Sequence, residues 1–153
     1  MQYWLMKSEP SVFGIDDLAR APRKRSAWDG VRNYQVRNML RDEMRKGDLA
    51  FFYHSSCPEP GIYGIARIVK EGYPDPTALD PAHDHFDPKS KPEQPTWFMV
   101  DIELVERFER PVLLDTLRAH SAQLPHMLLL RRGNRLSITP VTQAEWKYVH
   151  ALA

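Results

Sequence analysis

DLAFFYHSSCPEPGIYGIARIVKEG occupies residues 48–72. Two runs rich in aromatic and β-branched residues, 48–56 and 61–72, flank the connection CPEP. A link that short between strand-like segments predicts an antiparallel pair. Toward the N-terminus, QYWLMK at 2–7 is short and apolar and is stopped by SEPS, so it reads as another strand, ended by Pro10. Toward the C-terminus, TWFMVDIELVERF at 96–108 alternates, with Phe98, Val100, Ile102 and Leu104 on one face, and NRLSITPV at 134–141 supplies a last strand.

The remaining segments read as helices and connections. IDDLAR at 15–20, LLDTLRAH at 113–120 and a turn around Leu124 to Leu129 are short helices. After Asn33 as N-cap, YQVRNMLRDEMRK spaces Val36, Leu40 and Met44 four residues apart, which predicts an amphipathic helix closed by Gly47. Thr142 followed by Glu145 is a capping-box start for a C-terminal helix carrying Trp146, Val149 and Leu152. APRKRSAWDG is a polar connection broken by Pro22 and Gly30, and residues 73–95, with six prolines, form a long surface excursion. The sum is a single α+β domain over residues 1–153: five or six mainly antiparallel strands in a small barrel with short peripheral helices.

With 42% hydrophobic and 27% charged residues, the chain has material for one core and too little charge imbalance for disorder. No apolar run reaches the length of a secretory or membrane-spanning segment, so no membrane association is expected. The single cysteine, Cys57, excludes an internal disulfide and fits a reducing compartment, which makes the cytoplasm the expected location. The formal charge is +1, but it is unevenly spread. Arg20 to Lys46 holds nine basic residues against three acidic ones, Glu71 to Glu109 holds ten acids against three bases, and RRGNR at 131–135 has no acid at all. Such segregation gives one positive face, the footprint of a polyanion binder, unless the two segments lie together and cancel.

Most catalytic chemistries find no support. HDH at 83–85 has metal-ligating residue types, but its spacing fits no zinc or calcium pattern, so no metal is expected. Cys57 has no neighbour that lowers a thiol pKa, Ser55 and Ser56 lack a nucleophile-elbow setting, and the seven scattered glycines make neither a phosphate loop nor a dinucleotide fingerprint. No cofactor is therefore expected. What remains is a set of flat and polar side chains. Trp4, Trp28, Tyr34, Tyr53 and Trp97 are candidate walls of a cage, and Lys7, Ser8, Arg32, Asn33 and His54 its candidate polar contacts. A flipped nucleobase needs that combination, stacking faces plus hydrogen-bonding groups for its Watson–Crick edge. The alternative for Trp4 and Trp97 is plain core packing on strands; Trp28, in a polar loop beside Gly30, fits that alternative less well.

YWLMKSEP at 3–10, WDGVRNYQVRN at 28–38, GDLAFFYHSS at 47–56, GIARIV at 64–69, YPDPTALDP at 73–81, WFMVDI at 97–102 and LLLRRGNRLSITPV at 128–141 together resemble the EVE domain family, in order along nearly the whole chain. The resemblance implies a PUA-like pseudo-barrel, related to the YTH domains that hold a methylated adenosine in an aromatic cage. It implies a non-catalytic reader of modified bases, notably 5-methylcytosine or 5-hydroxymethylcytosine in DNA, with RNA as a second candidate partner. No fused nuclease accompanies the motifs, which is similar to the stand-alone bacterial form, where association with the nucleoid is expected.

Carried onto this sequence, the resemblance puts Lys7, Ser8 and Glu9 at the pocket mouth, and Trp28 as a wall with Gly30 and Val31 beside it. Arg32, Asn33 and Tyr34, with Tyr53, His54 and Ser55, complete the ligand contacts, and Trp97 is a second wall. Asn33 opens the helix whose amides and Arg37 meet a phosphate, and Arg23, Lys24, Arg25, Arg131, Arg132 and Arg135 are further backbone contacts. Two other readings stay open: a protein for free nucleosides, and an amidohydrolase of the ASCH type acting on modified cytidine through Lys7 and Glu9.

Overall fold

The structure is a computed structural model describing residues 1–153. Six strands make one sheet: β1 (Tyr3–Ser8), β2 (Arg25–Ala27), β3 (Leu49–His54), β4 (Gly61–Pro74), β5 (Phe98–Leu113) and β6 (Ile138–Val141). Their order is β2-β5-β4-β3-β1-β6. The predicted hairpin is present as β3 against β4, antiparallel, with Leu49 opposite Arg67 and His54 opposite Gly61. β1 runs parallel to β3 and every other pairing is antiparallel, so the sheet is mixed. β2 and β6 are its edges and do not pair with each other, which leaves the sheet open where the sequence suggested a closing barrel.

Strand β3 lies inside the sheet and is covered on both sides. Five of its six residues are buried, and because successive side chains point to opposite faces, both faces must be covered. One face carries Trp4, Met6, Phe52, Ile68, Val100 and Ile102, packed under Leu18 of α2 (Ile15–Arg20) and Val36 of α3 (Tyr34–Asn38). The other carries Leu5, Phe51, Tyr53 and Ile62, packed under Leu117 of α4 (Leu114–Ala119) and Trp146 and Val149 of α5 (Gln143–Leu152). Trp146 stacks on Phe51 at 3.9 Å between ring centroids, and full burial of side chains of this size contributes roughly 1.5–3 kcal/mol each. The remaining helix, α1 (Pro10–Phe13), is a single turn.

Several local readings hold. Asn33 caps α3 by accepting the Val36 amide, and Thr142 and Glu145 form the reciprocal capping box of α5. Others are revised. The helix after Asn33 stops well before Gly47: it passes into a wider turn at Met39–Glu43, and Met44 leaves it for the core. Asp48, 3% exposed, fixes that exit by accepting the Arg45 amide, the Gln2 amide and the Trp4 indole. Within the presumed connection, Arg25–Ala27 pairs with β5 as an edge strand, and β5 itself continues to Leu113, bent by register shifts against β4. No helix is long and apolar enough to cross a membrane.

Candidate nucleic-acid interface

Where β1 ends, the chain brings together four parts far apart in sequence. Lys7, Ser8 and Glu9, then Val12 and Phe13 of α1, form one side of a cleft of about 890 Å³. Ser26 through Arg32 form the floor and opposite wall, His83 to His85 of the excursion close the top, and Ser137 closes the end. Trp28 is 8% exposed: it packs edge-on against Phe52 at 5.7 Å and its amide donates to the Val100 carbonyl, so it is core and cleft wall at once.

The wall is held by one carboxylate. Asp75, 2% exposed, accepts the Gly30 amide at 2.9 Å, the Thr77 amide at 2.9 Å, the Thr77 hydroxyl at 2.6 Å and Arg32 at 3.2 Å. Burial pushes its pKa up, but these donors outweigh burial and hold it below the ordinary carboxylate value. Arg32 is equally committed. Its remaining donors reach the Val31 carbonyl, the Thr77 hydroxyl and, twice, the His85 carbonyl, which occupies all five of its N–H groups. Arg32 thus fastens the 28–32 loop to the excursion, where the sequence reading made it a ligand contact. Gly30, at φ +79°, lets His85 lie flat on the loop, since a Cβ there would stand 2.4 Å from the ring.

Seven sequence-predicted residues meet at this cleft: Lys7, Ser8, Glu9, Trp28, Gly30, Val31 and Arg32. Burial lowers the Lys7 pKa, and the Ser8 hydroxyl donates to the Phe13 carbonyl. The others stand elsewhere. Tyr53 points to the opposite core, a consequence of strand alternation, and Trp4 is buried in the sheet. His54 supports the site from behind, accepting the Ile15 amide at Nε2 and stacking on Tyr63 at 4.0 Å, while the Ser55 amide donates to the Ser8 carbonyl. Trp97, 5% exposed, donates its indole N–H to Asp87, and exposed Tyr34 stacks on it at 4.9 Å with the Arg37 guanidinium over its ring. Asn33 is spent on its cap. Of the predicted aromatic walls, only Trp28 lines the cleft, and Phe13 is the aromatic it gains.

Both readings of the charge pattern are partly realised. Arg25 pairs with Glu103, Arg32 with Asp75 and Arg45 with Glu71, so the basic and acidic segments do cancel along one seam. Arg23, Lys24, Arg131, Arg132 and Arg135 are exposed and have no acidic partner. Lys24 stands two residues before Ser26 and Arg135 two before Ser137, so each cluster leads along the chain to a residue that lines the cleft. Val12, Phe13, Ser26, Ala27, Asp29, His83, His85 and Ser137 also line the cleft although no site role attached to them in the sequence; Val12 and Phe13 stand within three residues of the KSEP motif.

Residues 2–152 match the EVE domain family. The chain belongs to that family. Human thymocyte nuclear protein 1 is 46% identical to this EVE domain over 98% of the chain and 73% of the human protein. The crystal structure of PSPTO5229 from Pseudomonas syringae superposes with a TM-score of 0.92 at 51% identity, covering 98% of each chain. Human THYN1 in complex with 5-methylcytosine-containing DNA superposes at 0.93 with 45% identity, covering 99% of this EVE domain and 97% of that chain. The family read from the motifs is thereby established, and with it the PUA-like α+β fold.

Proposed function

We propose that this EVE domain binds DNA carrying a 5-modified cytosine and receives the extruded base in the cleft bounded by Trp28, Phe13 and Lys7. The observation that carries the reading is the likeness, across the whole fold, to a relative seen with 5-methylcytosine-containing DNA. The cleft supports it: its volume of about 890 Å³ suits a ligand of nucleoside size, and Trp28 and Phe13 offer apolar faces beside the polar groups of Lys7, Ser8 and Glu9. Stacking on such faces contributes roughly 1–3 kcal/mol per base, enough to offset much of the cost of unstacking it. The unpaired arginines at the rim supply the phosphate contacts.

Fluorescence polarisation with matched oligonucleotides carrying cytosine, 5-methylcytosine or 5-hydroxymethylcytosine, at two salt concentrations, tests it. The expected result is salt-dependent binding with preference for one modified form, lost in Trp28→Ala. Equal affinity for all three oligonucleotides overturns the modified-base reading. RNA of the same sequence forms a further arm.

A second reading follows from Lys7 and Glu9 lining one cleft with Lys7 held below its ordinary pKa by burial, an arrangement suited to hydrolysing acylated cytidine. Incubation with acylated cytidine and mass analysis of products decides it, product that disappears in Lys7→Met being its signature.

A further inference from the structure

The pair His83 and His85 matches no metal motif in sequence because the third partner is more than fifty residues away. Asp29, on the opposite lip of the cleft, turns a carboxylate oxygen toward the two imidazoles, and one ligand atom from each of the three lies within 4.8 Å of the others. We propose that Asp29, His83 and His85 bind a divalent first-row transition cation of the zinc class at the cleft rim.

The donor set determines the cation class. Two imidazoles and one carboxylate suit zinc, cobalt, nickel or iron(II), whereas magnesium and calcium seek an all-oxygen shell. Three protein ligands leave further coordination positions for water or for an oxygen or nitrogen from whatever occupies the cleft. In a tetrahedral zinc site the ligand atoms stand about 3.3 Å apart. Closing from the observed spacing therefore asks for small side-chain rotations, and Asp29 is exposed and free to make them.

A second observation points the same way. The Nδ1 atom of His85 is buried and has no hydrogen-bond partner. A buried ring nitrogen without a partner is unfavourable, and a cation there would satisfy it. The backbone around the triad is also fixed in advance. The His85 carbonyl is clamped by Arg32, and its amide donates to His83 Nδ1 at 3.0 Å, which joins the two imidazoles. The residues flanking Asp29 are tied down by Trp28 to the Val100 carbonyl and by Gly30 to Asp75. Coordination through His83 displaces the His85 amide or switches the tautomer, a loss of one neutral hydrogen bond against a metal–imidazole bond gained. Bound, the cation would join the 28–32 loop to the excursion and place positive charge at the cleft rim. None of this depends on nucleic acid.

Isothermal titration of the metal-free protein with Zn2+, with Mg2+ as control and Co2+ absorption as a spectroscopic reporter, tests the site. One equivalent of Zn2+ per chain is expected, with no Mg2+ uptake. Affinity should fall tenfold or more in Asp29→Asn and in His83→Gln, both checked by circular dichroism for intact fold; Asp29 is exposed and serves if the histidine variant misfolds. No stoichiometric Zn2+ binding overturns the proposal. So does full affinity in both variants, which would place the cation on Cys57 or on another histidine.

Discussion

One oxygen of Asp75 accepts the Gly30 amide at 2.9 Å and is shared with Arg32 at 3.2 Å. The cleft wall thus hangs on a carboxylate that belongs to the next sheet connection. Removing it strands a half-buried guanidinium, the Thr77 hydroxyl and two amides. Asp75→Ala is expected to lose about 2–4 kcal/mol, below the full cost of breaking a buried pair because Arg32 keeps some solvent access. Urea denaturation measures this directly. The carboxyl is depressed in the folded state, so its contribution is fully present above the unfolded value of 3.8 and is lost as pH falls through the folded value beneath it. Asp75→Ala should therefore flatten stability against pH on the acid side of 3.8.

Gly30→Ala combines two penalties, a left-handed backbone at φ +79° and a methyl group driven into the His85 ring. The two together are expected to destabilise by roughly 2–4 kcal/mol and to displace the imidazole. Thermal melting reports the first effect, and the His85 resonances in an NMR spectrum report the second.

His54 offers a pH test behind the cleft. Burial holds its pKa below the ordinary 6.5, and its neutral Nε2 accepts the Ile15 amide. Because the unfolded chain takes up the proton first, stability falls as pH drops from 6.5 toward the folded value. Denaturation midpoints between about pH 7.5 and about pH 5.5 should decline in the parent and decline less in His54→Phe.

The arginines of the rim and the tyrosine of the opposite core separate positioning from recognition. Arg23→Ala and Arg132→Ala should weaken binding to every oligonucleotide alike and each reduce the slope of log affinity against log salt by about 0.9. Tyr53→Phe should leave affinity and base preference unchanged, because its ring packs with Leu5 and Phe51 on the far face of the sheet.

How far the sequence disclosed this site depended on whether a feature was local. Caps, the hairpin and the alternation of β5 are set by neighbours within a few residues, and Asn33, Thr142 and CPEP announced them correctly. The family motifs placed Lys7, Ser8, Glu9 and the Trp28–Arg32 loop in one cleft. The face of Tyr53 was not legible, because both faces of β3 are apolar and its pattern is silent on which side is which. Nor was the meeting of Asp29 with His83 and His85, which only the path of the excursion creates. The fate of Arg32 was hidden for the same reason: its partners Asp75, Thr77 and His85 lie more than forty residues downstream.

The saturated guanidinium of Arg32 bears on the thermodynamics of recognition. A side chain whose five donors are all engaged before any ligand arrives has little conformational freedom left to surrender, so its ordering entropy is spent during folding. Association then resembles a key entering a cut lock, with the cost of rearrangement falling on the guest. Discrimination on that footing rests on how well a guest matches a shape already built.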